Sequence, residues 1–269
     1  MPLLDEAATV ERAHIMRPLS ARRFRPAEAL AETIIFAAST ISILGVFLIF
    51  VFVAREALPL LTSSEIQKEV TLRSMLTTRM WQPVGVEPKY SIIPLVIGTL
   101  KVTIIAILFA TPLAIGGAIY TAEFAPRKVR EVVKPFIEIL AGFPSVVLGF
   151  IALMVLATLL QKITGSQSRL NAFVGGIAVG LAITPVIFTV VEDALTAIPK
   201  AFREASLALG ATRAQTALSV VVPAAAPGIA AAVILGIGRG IGETMIVLMA
   251  TGNAAIISWN PFDSTRTMA

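Results

Sequence analysis

The sequence predicts an all-α, polytopic membrane helix bundle with five spans, and two observations carry that prediction. The 269 residues are 56% hydrophobic and 14% charged, with a mean hydropathy of +0.85, whereas soluble domains carry about a quarter charged residues. Five charge-free runs (33–54, 102–122, 139–161, 170–191 and 214–238) are each 21 to 25 residues long. About 20 apolar residues suffice to cross the roughly 30 Å hydrocarbon core, and a soluble core would not repeat that length five times.

The elements follow in order. Residues 1–30 read as a polar tail with Arg12, Arg17, Arg22, Arg23 and Arg25. Residues 31–269 read as one transmembrane domain. Span one covers 31–54. The polar tail before it, its long apolar core and the lack of a small-residue cleavage site argue against a removable signal peptide. The loop 55–91 carries Trp81, Pro83, Pro88 and Tyr90, residues suited to a membrane interface. Span two covers 92–122, span three 135–161 and span four 172–191. The connection 192–213 is polar and helix-forming. Residues 224–251 read as one helix with Arg239 and Glu243 near its middle. The stretch beyond it, with Gly252, Asn253, Ser258, Asn260 and Pro261, reads as loop. Four basic residues in the loop 123–138 against two in 162–169 put the N-terminus inside and the loop 55–91 outside. Glu123, Glu192 and Asp193, next to span ends, are expected to be solvated.

Several chemistries are excluded. With no cysteine and His14 alone, metal-dependent chemistry within the membrane lacks ligands, and a serine nucleophile lacks a base, so no catalytic residue is expected. The phosphate-loop pattern G-x-x-x-x-G-K-[ST] is absent, so the chain is not expected to bind ATP or another cofactor itself. The net charge of +5 suits loop cations facing anionic lipid better than a nucleic-acid partner.

Two stretches carry functional information. In GIGRGIGET, 236–244, an arginine and a glutamate sit in an apolar run. An arginine at bilayer depth costs roughly 2.5–3.5 kcal/mol on insertion scales and persists where it pairs or faces water. As i and i+4 on one helix, Arg239 and Glu243 would share a face, but helical pairs of this kind contribute only about 0.2–0.5 kcal/mol, so helix stability does not explain them. A guanidinium fork matches an oxyanion through parallel N–H donors. One reading places Arg239, with Glu243 and Thr244, on an anion path; the other is a structural ion pair. Gly236-x-x-x-Gly240, Gly238-x-x-x-Gly242 and Gly176-x-x-x-Gly180 are spaced for close helix packing. In the connection before the last span, the sequence predicts a short helix over 200–210, opened by Pro199 and closed by Gly210 in a left-handed cap. Phe202, Ala205, Leu207 and Leu209 make it apolar on some sides; Lys200, Arg203 and Glu204 charge the others. By physics alone it is an interfacial helix linking two spans.

That stretch also resembles the coupling loop of ABC-importer permeases, whose pattern is E-A-A, three residues, G, nine residues, I-x-L-P. Glu204-Ala205-Ser206, Gly210 and Val220-Val221-Val222-Pro223 fill it, with Ser206 and the valines as small departures. Leu140-Ala141-Gly142-Phe143-Pro144-Ser145-Val146-Val147-Leu148-Gly149-Phe150 resembles the AGIPSVVYGF segment of phosphate-importer permeases. Gly238-Arg239-Gly240-Ile241-Gly242-Glu243-Thr244-Met245, with Gly252-Asn253, resembles their GRAxGETM segment followed by GN, in the form of the C-type subunit. The resemblance runs from about residue 36 to the end.

The resemblance implies the ABC importer permease fold in a bacterial cytoplasmic (inner) membrane, N-terminus cytoplasmic, transporting inorganic phosphate. It implies as partners an A-type permease subunit, two cytoplasmic ATPase subunits that bind ATP and Mg, and an extracytoplasmic phosphate-binding protein. Arg203, Glu204, Ala205, Ser206 and Gly210 would form the ATPase coupling helix. Arg239 would meet phosphate in transit, while Glu243 holds it when phosphate is absent or binds the partner permease. The family's last span has no counterpart here, so a truncated, non-transporting paralogue is one alternative. A permease for molybdate, tungstate or sulfate is another. An ion-coupled carrier is disfavoured, because it would show several intramembrane carboxylates and inverted repeats.

Overall fold

The computed structural model describes residues 26–63, 70–84 and 88–269; the tail 1–25 lies outside them. The described residues are helical, with two isolated β-bridges and no strand. Two compact units divide the chain, 1–67 and 68–269. In the first, α1 (Pro26–Ala57) is followed by a short turn of helix, α2 (Pro59–Thr62). Helix α1 is apolar around its whole circumference, and its leucines, isoleucines and phenylalanines are exposed, as a lipid-facing span requires. Its hydroxyls are spent within the helix: Ser39, Thr40 and Ser42 each donate to the carbonyl four residues back.

The second unit begins with α3 (Leu72–Thr77), and its core is a pair of long helices. Helix α4 (Ile93–Ile119) ends in a π-helical turn, Tyr120–Phe124, and α8 (Ala172–Thr196) packs along it. Small residues make that packing close. Ala106, Ala110, Ala114 and Ala118 form a buried stripe on α4. A Cβ at Gly176 would meet Ile105 Cγ2 at 2.5 Å and the Val102 carbonyl at 3.2 Å, and one at Gly180 would meet Phe109 Cδ1 at 2.8 Å. The predicted small-residue spacing on α8 is therefore a real contact surface.

Between these helices in sequence lies an outcome that differs from expectation. Span three was expected over 135–161. Instead α5 (Arg127–Ala141) is a separate amphipathic helix, the chain breaks at Gly142-Phe143-Pro144, and the apolar span runs from Ser145 to Thr164. Proline at 144 disfavours helical geometry at Phe143 and itself caps the next helix. That span consists of α6 (Ser145–Ile151), a π-helical turn and α7 (Ala157–Thr164).

After α8 come α9 (Lys200–Ala208), α10 (Arg213–Thr216), a π-helical turn, α11 (Val222–Ala224), α12 (Ala226–Ile241) and α13 (Met245–Ala250). The axis bends by 68° between the helical stretch 213–224 and α12, at Ala225 ahead of Pro227. Among the described residues, four helices are long and apolar enough to cross a membrane, five if this bent pair counts as one. The single helix expected over 224–251 is not formed: it stops at Ile241 and resumes at Met245. Glycines at 236, 238, 240 and 242 each lower helix stability by about 1 kcal/mol relative to alanine. Tertiary packing then fills the break, since a Cβ at Gly149 would meet Ile246 Cα and the Met245 carbonyl at 3.2 Å.

The stretch after Ala250 has no helix, as expected, and folds back over the bundle end remote from α9. The Thr265 amide donates to the Thr251 carbonyl, the Met268 amide to Thr99 Oγ1, and the α8 amides of Ala172 and Phe173 to the carbonyls of Asp263 and Pro261. Lys101, 6% exposed within α4, donates to the carbonyls of Ser258 and Asn260 at 3.0 and 3.2 Å. The buried ammonium thereby has hydrogen-bond acceptors in place of water.

Replacing Gly176 by Leu should destabilise this unit by about 1–3 kcal/mol through overpacking, seen as a lower unfolding temperature in detergent. Gly116→Leu, at an exposed position where an added Cβ meets nothing within 4 Å, should leave it unchanged; equal loss in both variants would contradict the packing account.

Candidate functional site

The candidate site begins with α9. Gly210 has φ +86°, so the predicted left-handed cap is present and any side chain there would be strained. Thr212 and Gln215 then form a reciprocal capping box at the start of α10, and Ser206 Oγ lies 2.9 Å from Thr216 Oγ1. These contacts fix α9 against the root of the last span.

Helix α9 carries two cations. Lys200 is exposed, while Arg203 points inward: its Nη2 donates to Glu123 Oε1 at 2.6 Å and to the Leu195 carbonyl at 2.9 Å, and its Nη1 donates to the Ile198 carbonyl at 2.7 Å. One guanidinium thus joins the end of α4 to the C-terminal carbonyls of α8. Its apolar residues point outward, with Phe202, Leu207 and Leu209 exposed beside Glu204 and Ala205. Leu209 is 90% exposed. These apolar residues are left without cover among the described residues.

The neighbouring helix α5 is tied down by two further cations. Arg130 donates to the Thr121 and Ala122 carbonyls freed by the π-helical turn. Lys134 Nζ lies 2.8 Å from Glu192 Oε2. Two expectations are thereby corrected. Glu123, expected in solvent, has a side chain 10% exposed and paired with Arg203. Glu192, expected in solvent, is 2% exposed; Asp193 beside it is exposed as expected. A signal for Glu192 existed. It continues the stripe Phe188, Val191 and Leu195, which is the buried face of α8. Glu123 had no such signal, because its partner lies 80 residues away.

The second set of expected residues lies around α12. Gly236 and Gly240 face the bundle: a Cβ at Gly236 would meet Ile187 Cδ1 at 2.6 Å, and one at Gly240 would lie 3.6 Å from Thr103 Cγ2. Gly238 has nothing within 4 Å and Gly242 meets only its own helix, so this second glycine pair leaves backbone uncovered. Arg239 lies on the uncovered side. It is exposed and has no ion pair or hydrogen bond among the described residues. The expected Arg239–Glu243 helical pair is absent, because the helix ends between them at Ile241. Glu243 is 9% exposed, turned inward within the break, while Thr244 is exposed and donates to the Gly242 carbonyl. The structure therefore separates the three residues expected on the path. Among the described residues no cluster of acids or histidines could hold a metal ion.

Comparisons with known proteins bear on these sites. A family model described as the binding-protein-dependent transport system inner membrane component matches residues 114–264, which include α9, Arg203, Arg239 and Glu243. The probable ABC transporter permease protein YqgH of Bacillus subtilis is 42% identical over 193 residues, covering 72% of this chain and 62% of that protein. The phosphate transport system permease protein PstC of Mesorhizobium japonicum is 31% identical over 215 residues, covering 73% of this chain and 65% of that protein. The chain thus spans less than two thirds of the length of both relatives. Among solved structures, the MetNI methionine ABC transporter in inward-facing conformations aligns with a TM-score of 0.49 at 23% identity, over 54% of this chain and 68% of that one.

Arg203 offers a test of the local energetics. Removing one partner of a buried pair costs about 3–5 kcal/mol, and Arg203, with 21% of its side chain exposed, should fall at or below the lower end. Arg203→Gln and Glu123→Gln should each lower the unfolding temperature, and the double variant should cost little more than either. Additive losses would show that the pair does not act as a unit.

Proposed function

This chain belongs to the binding-protein-dependent transport system inner membrane component family, and from that premise we propose that it forms half of the translocation path of an ATP-driven importer of inorganic phosphate. The observation that carries the proposal is Arg239, an exposed guanidinium on an apolar helix with no partner among the described residues. Such a group needs an anion or a water-lined path to persist in a membrane. The uncovered glycines at 238 and 242 leave room for an oxyanion to approach it. Relatives named as phosphate transport system permeases support phosphate as that anion. The basic loop 123–138 supports a cytoplasmic N-terminus.

The partners in this reading are an A-type permease subunit, an extracytoplasmic phosphate-binding protein, and two cytoplasmic ATPase subunits that carry ATP and Mg. The exposed apolar face of α9 would seat the ATPase, with Glu204, Ala205 and the Gly210 cap shaping the contact. ATP binding would move α9. Arg203 would pass that movement directly to α4 through Glu123 and to α8 through the Leu195 and Ile198 carbonyls. Ser206, bonded to Thr216, would pass it to the root of the bent last span. Glu243, turned inward, would hold the break between α12 and α13 open rather than clamp Arg239.

Labelled-phosphate uptake with the partner subunits present tests this. Arg239→Gln should lower uptake roughly ten- to hundred-fold, the worth of charge-assisted hydrogen bonds, with the complex still assembled; unchanged uptake would remove Arg239 from the path. Excess sulfate or molybdate should not compete, and competition by either would reassign the substrate. Glu204→Lys should release the ATPase subunits from the purified complex, and full retention would overturn the coupling role of α9.

A further inference from the structure

One buried group near α9 takes no part in the coupling just described. Glu192 gives Oε2 to Lys134, but its Oε1 is buried and has no hydrogen-bond partner. Proteins leave few buried polar atoms unmet, and a carboxylate oxygen is met only by a donor. Glu192 lines a cavity of about 250 Å³ together with Lys134, Glu138, Thr189 and Asp193, between walls of Ile137 and Phe188. Three carboxylates surround one ammonium, so the cavity carries a net charge of 1 − 3 = −2. Its acids do not form a group that could hold a metal ion. Its volume admits the head of one long side chain rather than a folded segment.

The surroundings indicate where that side chain comes from. One helical turn earlier on α5, Arg130 lines a second cavity of about 430 Å³ with Lys200, Arg203 and Glu204. That cavity has three cations and one acid. The end of the unit bearing α9 therefore shows an acidic and a basic cavity side by side, next to the uncovered apolar residues of α9. Paired cavities of opposite sign fix the register of a docked partner.

We propose that the acidic cavity of Glu138, Glu192 and Asp193 receives a lysine or arginine side chain of the ATPase subunit, whose head donates to Glu192 Oε1. This rests on the reading that an ATPase docks at α9. The cavity sets the orientation of the ATPase, while α9 takes its stroke.

The test uses the purified complex, with ATPase retention followed against sodium chloride concentration. Glu138 and Asp193 are exposed, so Glu138→Gln with Asp193→Asn should leave the unfolding temperature of the permease unchanged. The double variant should weaken ATPase binding by about ten-fold and flatten its salt dependence, as expected when a charged contact is lost. The charge-keeping swap Glu138→Asp with Asp193→Glu should restore the salt slope. Wild-type affinity and slope in the neutralised variant, or a loss that the charge-keeping swap does not restore, would show a cavity that holds water only and overturn this inference alone. A wild-type chain that holds no ATPase at any salt concentration would overturn the docking reading and this inference together.

Discussion

The guanidinium of Arg203 is the interaction on which the α9 end depends. Three separate pieces of chain meet there: the π-helical turn after α4, the C-terminus of α8, and α9 itself. Each supplies groups that would be costly alone. Glu123 is a largely buried carboxylate, and the carbonyls of Leu195 and Ile198 lie at and just beyond the C-terminal end of α8, where helical donors run out. One planar cation with five donors satisfies all of them at once, which a lysine point charge could not do. The inward Arg203 also explains the outward Phe202, Leu207 and Leu209. With Arg203 and Ser206 committed to the bundle, Phe202, Leu207 and Leu209 stay uncovered beside the exposed Lys200 and Glu204.

Two other cations near α9 follow the same logic. Arg130 caps the carbonyls that the π-helical turn releases, and Lys134 neutralises most of Glu192. At the other end of the unit Lys101 is matched by backbone carbonyls. Against that background Arg239 stands out. It sits on the open side of a glycine helix, where Gly236 and Gly240 are pressed into the bundle and Gly238 and Gly242 are not. A residue left unmatched among the described residues, on a face that they leave uncovered, is the feature that directs attention outward, to an anion or to a second subunit.

Much of this was legible in the sequence where local rules dominate. The left-handed Gly210, the limits of α9, and the contact surface of Gly176 and Gly180 all follow from spacing and from residues with one strong conformational preference. The boundaries that failed were set by tertiary packing or by proline. A charge-free run continued through Phe143-Pro144, and apolar sequence continued on both sides of Arg239 and Glu243, so hydropathy alone joined helices that the backbone separates. The ion pairs were the least legible. Glu123 and Arg203 meet only because α4 and α8 run side by side, and no local pattern announces that. Glu192 was legible in principle, since it continues an apolar stripe at helical spacing, and a charge on a buried face needs a partner.

The break at Gly242–Thr244 changes what the glutamate can do. On a continuous helix, Glu243 would sit one turn from Arg239 on the same face and compete with an anion for its guanidinium. Ending the helix at Ile241 turns Glu243 inward and frees Arg239. The glycines that weaken the helix are therefore part of how the cation stays available. Packing of Gly149 against Met245 and Ile246 makes the break a fixed feature of the fold rather than a fraying end. Separation of these two charges by backbone geometry, rather than by distance in sequence, is what distinguishes an anion-accessible arginine from a structural ion pair.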